Sequence, residues 1–294
     1  MTPRRLLLPA LLSVLAACAP VVTVPPQPGA MLPERIDAPK LEPYKIILVG
    51  DSTTAVGSGW GGAFCAHHVE WKIACLNLAR GARSTRSYRA EGSWDVALSE
   101  MKVPGYKATY VLIQMGHNDQ SPKPERWTEQ TTEFPDNLRR FVRETRDAGA
   151  VPVLITPLSR REFRQGRIHN TLAPWSEQVR IVARELDVPL IDLNAQSVRL
   201  AERLGPVGAM ALAQLPPSAE ERAAAATGTT LPPREPEPKP EDEDATEHPP
   251  GPRGHYSRKF DYTHLGDHGA ELISALIAHD LAVQVPELSR HIVP

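Results

Sequence analysis

A three-layer α/β/α sandwich around a five-stranded parallel sheet, of the flavodoxin-like kind, is the fold class this sequence predicts. Three observations carry it. Five short apolar runs, at 45–49, 73–78, 109–114, 152–155 and 189–193, are each bounded by turn or cap residues, as buried strands are. Helical patterns at 60–69, 94–100, 135–148 and 175–186 fall between those runs, and a last one covers 269–283. The connections are short, and strand–helix–strand repeated in this way builds a doubly wound sheet covered on both faces. Composition agrees. Of 294 residues 41% are hydrophobic, enough for a sizeable core, and 33 Lys+Arg against 35 Asp+Glu leave no basic excess for a nucleic-acid partner.

The chain begins with Arg4 and Arg5, then an apolar run over 6–17. That run is shorter than the ~20 residues a spanning helix needs, and it reads as a secretory signal. Its end, Leu15-Ala16-Ala17-Cys18, resembles a bacterial lipoprotein signal, in which the Cys becomes the lipidated first residue. Ala19 is not Asp, so the resemblance implies an exported lipoprotein anchored in the outer membrane and facing the periplasm, with the lipid as its one membrane contact. Residues 18–43 carry Pro25, Pro26, Pro28, Pro33, Pro39 and Pro43 and read as an extended tether. The domain then runs over 44–294.

The first strand leads into Gly50-Asp51-Ser52-Thr53-Thr54. A Ser just past a strand lies at the carboxyl edge of the sheet, where open α/β folds bind ligands. Asp-Ser-Thr is equally a good turn or cap, so this block alone leaves nucleophile and cap both open. Cys65 and Cys75 lie between the following helix and the second strand. Export permits a disulfide there, and two buried thiols are the alternative. His67-His68 lack partners for a metal site, and nothing calls for a cofactor. The third strand ends in Gly116-His117-Asn118-Asp119, a turn at the same edge, where the Asn118 amide can donate to a developing oxyanion. In the helix pattern at 135–148 Pro135 suits the first turn and Gly149 the position just past the end. Trp60, Tyr88 and Trp94 near strand ends could stack on sugar rings or pack in the core.

Residues 216–254 change character: ten Pro between Pro216 and Pro252, and seven acids between Glu235 and Glu247. Such a stretch buries little surface and is expected to be a disordered, removable surface insertion. Beyond it stand Asp261-Tyr262-Thr263-His264. His264 is a general base by type, and Asp261 is placed to orient its ring.

Taken together, the blocks resemble the SGNH hydrolase superfamily, and within it the rhamnogalacturonan acetylesterase family of carbohydrate esterases. The likeness rests on Gly50-Asp51-Ser52-Thr53-Thr54, Asn77-Leu78-Ala79, Arg83-Ser84-Thr85-Arg86-Ser87-Tyr88, Gly116-His117-Asn118-Asp119, Asp261-Tyr262-Thr263-His264 and Thr156-Pro157-Leu158-Ser159-Arg160-Arg161. No Gly-x-Ser-x-Gly elbow is present. The resemblance implies a monomeric serine esterase acting on an acetylated, pectin-like glycan without a cofactor. It makes Ser52 the nucleophile, His264 the base and Asp261 its partner, with Ser52, Ala82 and Asn118 around the oxyanion. Another acyl ester as substrate, or a non-catalytic glycan-binding lipoprotein, is the alternative. Where the family carries Gly, this chain has Ala82, with Gly81 before it. Gly81 is expected to absorb any left-handed dihedral and to leave Ala82 unstrained.

Overall fold

The computed structural model describes residues 43–232 and 258–294. Its elements in chain order are β1 (Tyr44–Gly50), α1 (Gly61–Ala63) running into a π-helical turn (Phe64–His68), β2 (Ala74–Asn77), α2 (Thr85–Ala90), α3 (Ser93–Met101), β3 (Ala108–Gln114), α4 (Glu133–Asp147), β4 (Val151–Ile155), the hairpin of β5 (Phe163–Arg164) and β6 (Arg167–Ile168), α5 (Ala173–Glu185), β7 (Leu190–Ile191), α6 (Leu193–Gly208), α7 (Ala219–Ala226) and α8 (Asp267–Gln284). The main sheet has the order β2-β1-β3-β4-β7 and every pair in it is parallel.

The interior strand β1 shows why the sandwich forms. All of β1 is buried, so it must find apolar partners on both faces. Ile46 and Leu48 pack with Trp60, Phe64 and the Ile273, Ile277 and Leu281 stripe of α8. Ile47 and Val49 point the other way, onto Trp94, Phe134, Phe141 and Val179 of the helices α3, α4 and α5. Pro135 sits in the first turn of α4, and Gly149 follows its cap at φ 79°. Cys65 and Cys75 are joined by a disulfide, with Cα atoms 5.6 Å apart, tying the π-helical turn to β2.

Two expectations are corrected, and two helices are added to them. The last ladder is only Leu190–Ile191, shorter than 189–193, because Asp192 leaves the strand and caps α6 through the Ala195 N–H. Helix α6 itself, kinked at Gly205, was not foreseen, and neither was α2. Residues 216–232 are not an unstructured tail of the insertion. Ser218 and Glu221 form a capping box that starts α7, whose interior is mostly Ala, the best helix former. Ala225 packs with Met210 and Tyr262, and Gly228, Thr229 and Thr230 hydrogen-bond to the β5–β6 hairpin. The signal and tether readings before residue 43, and the acidic part of the insertion, lie outside the described residues.

Candidate active site

Sheet topology fixes where a site can form. The chain leaves β1 for β2 on one side and crosses to β3 on the other, so the crevice opens at the carboxyl ends of β1 and β3. Gly50 and Gln114 are register partners at those ends, which sets the Ser52 and Asn118 turns side by side. The loop after β2 comes over the same edge through Arg80 N–H to Gly50 O, 3.0 Å.

Hydrogen bonds lock the Ser52 turn. Asp51 Oδ1 accepts from Thr53 N and Thr53 Oγ1, both at 2.8 Å. Gln114 donates to Thr53 Oγ1 at 2.5 Å and accepts from Trp60 Nε1 at 2.8 Å. Ser58 Oγ donates to Ser52 O at 2.6 Å. A side chain on Gly50 would come within 2.4 Å of Thr54 Oγ1, so the block needs glycine there. Burial works to raise the Asp51 carboxyl, but His117, with Nδ1 at 3.4 Å, and Thr53 outweigh it and hold the group below its ordinary range. His117 is thus part of the turn's support.

From the far side, His264 Nε2 lies 2.9 Å from Ser52 Oγ, and Nδ1 lies 2.7 Å from Asp261 Oδ2. Asp261 Oδ1 accepts from the N–H groups of Thr263 and His264 at 2.8 and 2.7 Å. Burial pushes this carboxyl upward. The His264 side chain and the two backbone N–H groups prevail and hold it far below the usual range. An ionised Asp261 can only accept, so Nδ1 carries the ring proton and Nε2 is left to accept from Ser52 Oγ–H. The sequence placed all three residues, and the structure brings them into one hydrogen-bonded line.

The same loop is stapled by a residue whose role the sequence did not reveal. The buried guanidinium of Arg161 donates to the carbonyls of Asp261 (3.0 Å), His264 (2.8 Å) and Thr263 (3.3 Å). Burial lowers its pKa to about 10. Its sequence signal was only the Arg160-Arg161 pair after β4.

The loops that carry Ser52, Ala82 and Asn118 meet at this sheet edge, and each offers an N–H for an oxyanion. No hydrogen bond among the described residues uses the Ser52 or Ala82 N–H. Asn118 Nδ2 donates to Arg83 O at 3.2 Å, which orients the amide and leaves its second N–H uncommitted. One expectation fails at this point. Ala82 itself, not Gly81, takes the left-handed conformation, at φ 65°. The neighbouring Gly81 lies close to the nucleophile candidate: a Cβ on it would sit 3.7 Å from Ser52 Cβ. Asp119, fully buried, accepts on Oδ1 from Thr85 N, Thr85 Oγ1 and Thr128 Oγ1 at 3.0, 2.6 and 3.0 Å, while Oδ2 finds no partner. Burial raises its pKa to about 7. Trp60, Tyr88 and Trp94 are core residues, essentially without exposure, so none of them is a sugar platform. Among the described residues no three His, Cys, Asp or Glu side chains gather as a metal site.

Beside His264 opens a cleft of about 1100 Å³, walled by Gln120, Arg160, Glu162, Tyr262 and the segment around Ser218 and Glu221. The site suits ester hydrolysis, and the family and relatives make the chain a carboxylic ester hydrolase. The sequence profile of the GDSL-like Lipase/Acylhydrolase family matches residues 48–271, and the chain belongs to that family. Among its relatives is the rhamnogalacturonan acetylesterase RhgT of Bacillus subtilis (strain 168), 38% identical over 173 residues, which span 56% of this chain and 71% of the relative. The probable rhamnogalacturonan acetylesterase YesY of the same organism is 33% identical over 159 residues, 52% of this chain and 71% of that one. The crystal structure of the Bacillus subtilis protein YxiM shares the fold at TM-score 0.58 and 21% identity; the match covers 83% of this chain and 57% of that longer one.

Proposed function

We propose that this protein removes acetyl groups from a pectin-like, rhamnogalacturonan-type polysaccharide or its oligosaccharides by a Ser52–His264–Asp261 acyl-enzyme mechanism. The observation that carries the reading is the unbroken line Asp261–His264–Ser52, at 2.7 and 2.9 Å, with the Ser52 and Ala82 N–H groups and one Asn118 N–H left uncommitted among the described residues. The names of the two acetylesterase relatives supply the acyl group and the glycan. Ser52 Oγ attacks the acetyl carbonyl while His264 Nε2 takes its proton. The Ser52 and Ala82 N–H groups and the Asn118 amide donate to the oxygen that gains charge. His264 returns the proton to the departing sugar hydroxyl, and Asp261 stabilises the imidazolium in between. Water, activated by the same ring, then releases acetate from Ser52.

Export as a lipoprotein through Cys18, and action as a monomer, belong to the same proposal. Fatty-acid labelling of the expressed protein that disappears in Cys18→Ala supports the anchor, and sedimentation of the lipid-free domain tests the monomer. The central experiment is acetate release from acetylated rhamnogalacturonan, acetylated xylan and aryl acetates. The reading expects the first to be the best substrate by kcat/KM. Release from aryl acetates alone overturns it.

A further inference from the structure

The cleft beside His264 contains a cation that the hydrolytic chemistry does not use. Arg160 lies on the wall with its side chain 22% exposed, and its Nε is 4.0 Å from the nearest oxygen of Glu162. Nη1 donates to Thr171 Oγ1 at 2.8 Å, the one hydrogen bond the group makes among the described residues. A guanidinium has five N–H donors in a planar fork, so four of them make no hydrogen bond among the described residues. Glu162, Asp51 and Asp261 attract it, yet burial dominates and lowers its pKa. Gln120 also lines the cleft, and its Nε2 atom is buried and finds no partner. A buried donor without an acceptor is costly, and the Gln120 amide and the spare Arg160 donors, both lining one cleft, are most simply completed by whatever binds in it.

The donor set says what that is. A planar fork and an amide N–H together match the two oxygens of a carboxylate, and a cation in a partly buried position favours an anion over a neutral hydroxyl. We propose that Arg160 and Gln120 form a carboxylate subsite that holds a uronic acid residue of the acetylated chain while its ester reaches Ser52. The proposal rests on the sugar-ester reading above and adds to it the group that selects the chain. Arg160 here is a specificity-determining residue and takes no part in the acyl transfer.

The test compares two acetylated rhamnogalacturonan oligosaccharides that differ only in whether the uronic carboxyls are free or methyl-esterified, with 4-nitrophenyl acetate as a third substrate. Methyl esterification removes the charge and keeps the chain. The wild-type protein is expected to favour the free carboxylate at least ~10-fold in kcat/KM, mainly through KM, as fits loss of a charged, hydrogen-bonded partner. Arg160→Gln should bring that ratio to within about twofold of one, and Arg160→Lys, which keeps a point charge but not the fork, should fall between. A wild-type ratio near one overturns the subsite alone. So does an Arg160→Gln protein that keeps the wild-type ratio. Hydrolysis of 4-nitrophenyl acetate with no release from either sugar overturns the sugar-ester reading and the subsite with it.

Discussion

The two sides of the active site are built in different ways, a sheet wall and a loop wall that lines the cleft. Ser52, Ala82 and Asn118 stand at the carboxyl ends of β1, β2 and β3, where the parallel ladder and short turn bonds hold them. The opposite wall, with Arg160, the segment around Ser218 and Glu221, and the loop of Asp261 and His264, lies off the sheet. It is tied by side chains and scattered backbone contacts: Arg161 to three carbonyls, Leu265 N–H to Ser58 O at 2.9 Å, Gly266 N–H to Leu212 O at 2.9 Å. The hydrogen-bonded line from Asp261 to Ser52 crosses from one wall to the other. Reactive atoms therefore depend on the ladder for one partner and on a handful of polar contacts for the other. A misplacement of about 1 Å between reacting groups is enough to cost ~10²-fold in rate.

The largest effect should come from cutting the line on either wall. Ser52→Ala and His264→Ala are each expected to lose at least ~10⁴-fold in kcat, because nucleophile and base act as a unit. Circular dichroism should show both proteins folded. A Ser52→Ala protein that keeps its turnover would remove the mechanism. Next in size is a change that touches only the loop wall. Arg161→Met leaves three carbonyls short of a donor, and we expect a ~10–100-fold fall in kcat with partial recovery in Arg161→Lys. Labelling of Ser52 by a fluorophosphonate should slow in parallel. Unchanged labelling would mean that the staple does not position His264.

Replacing residues 219–226 by a short Gly-Ser linker tests whether α7 shapes the cleft. The expected result is a rise of roughly 10-fold in KM for polymeric substrate, with a smaller change for aryl acetates, as for lost binding area remote from the reacting bond. Equal kinetics on both would return the segment to the status of a surface appendage. That status is what its sequence suggested, and the contrast shows where legibility stops. The sheet wall could be read because its residues are contiguous blocks at strand ends, and strand ends follow from apolar runs such as Lys45 to Val49. The pair Asp261 and His264 could be read because one turn spans both. Helix α7 was obscured by the prolines on either side of it and by alanines, which carry helix propensity but no periodic apolar stripe. Its own signal, Ser218 three residues before Glu221, was present in the sequence. The Arg161 staple and the Gln120 amide join segments distant in the chain, and no local pattern announces such contacts.

The sheet wall also carries a charge that the fold opposes. Asp119 sits at about 7 in the folded protein because of burial, against 3.8 for an unhindered Asp. The folded state therefore holds a proton between those values that the unfolded chain releases, so stability should fall as pH rises from about 4 to about 7 and level off above. At 1.36 kcal/mol per pKa unit the ceiling is roughly 4 kcal/mol. Asp119→Asn imitates the protonated acid and keeps an acceptor for Thr85 and Thr128. Denaturant unfolding at pH 5 and pH 8 should show this fall in the wild type and a flatter dependence in the variant. A wild-type stability that rises across that window would contradict the assignment.

The smallest expected effect is at Ala82, the oxyanion candidate that the sheet wall holds in the left-handed region, at φ 65°. For an L-residue with a Cβ that conformation costs about 1–2 kcal/mol, and glycine escapes it. Glycine also gives the unfolded chain more freedom, worth about 0.4–1 kcal/mol against folding. The difference favours Ala82→Gly by somewhat under 1 kcal/mol, a shift of about 2–4 °C per kcal/mol in a domain of this size. The backbone N–H is the same in both proteins, so kcat should change less than about threefold. Asn118→Ala removes a side-chain donor outright and should cost ~10²-fold or more. Melts and kinetics of the two variants side by side separate strain from chemistry. A lower melting temperature for Ala82→Gly would mean that the loop, braced by Arg83 to Gly81 O at 2.8 Å, has already relaxed the strain. A large gain in kcat would instead place the Ala82 methyl in the path of the substrate and make this wall, like the opposite one, a determinant of which ester fits.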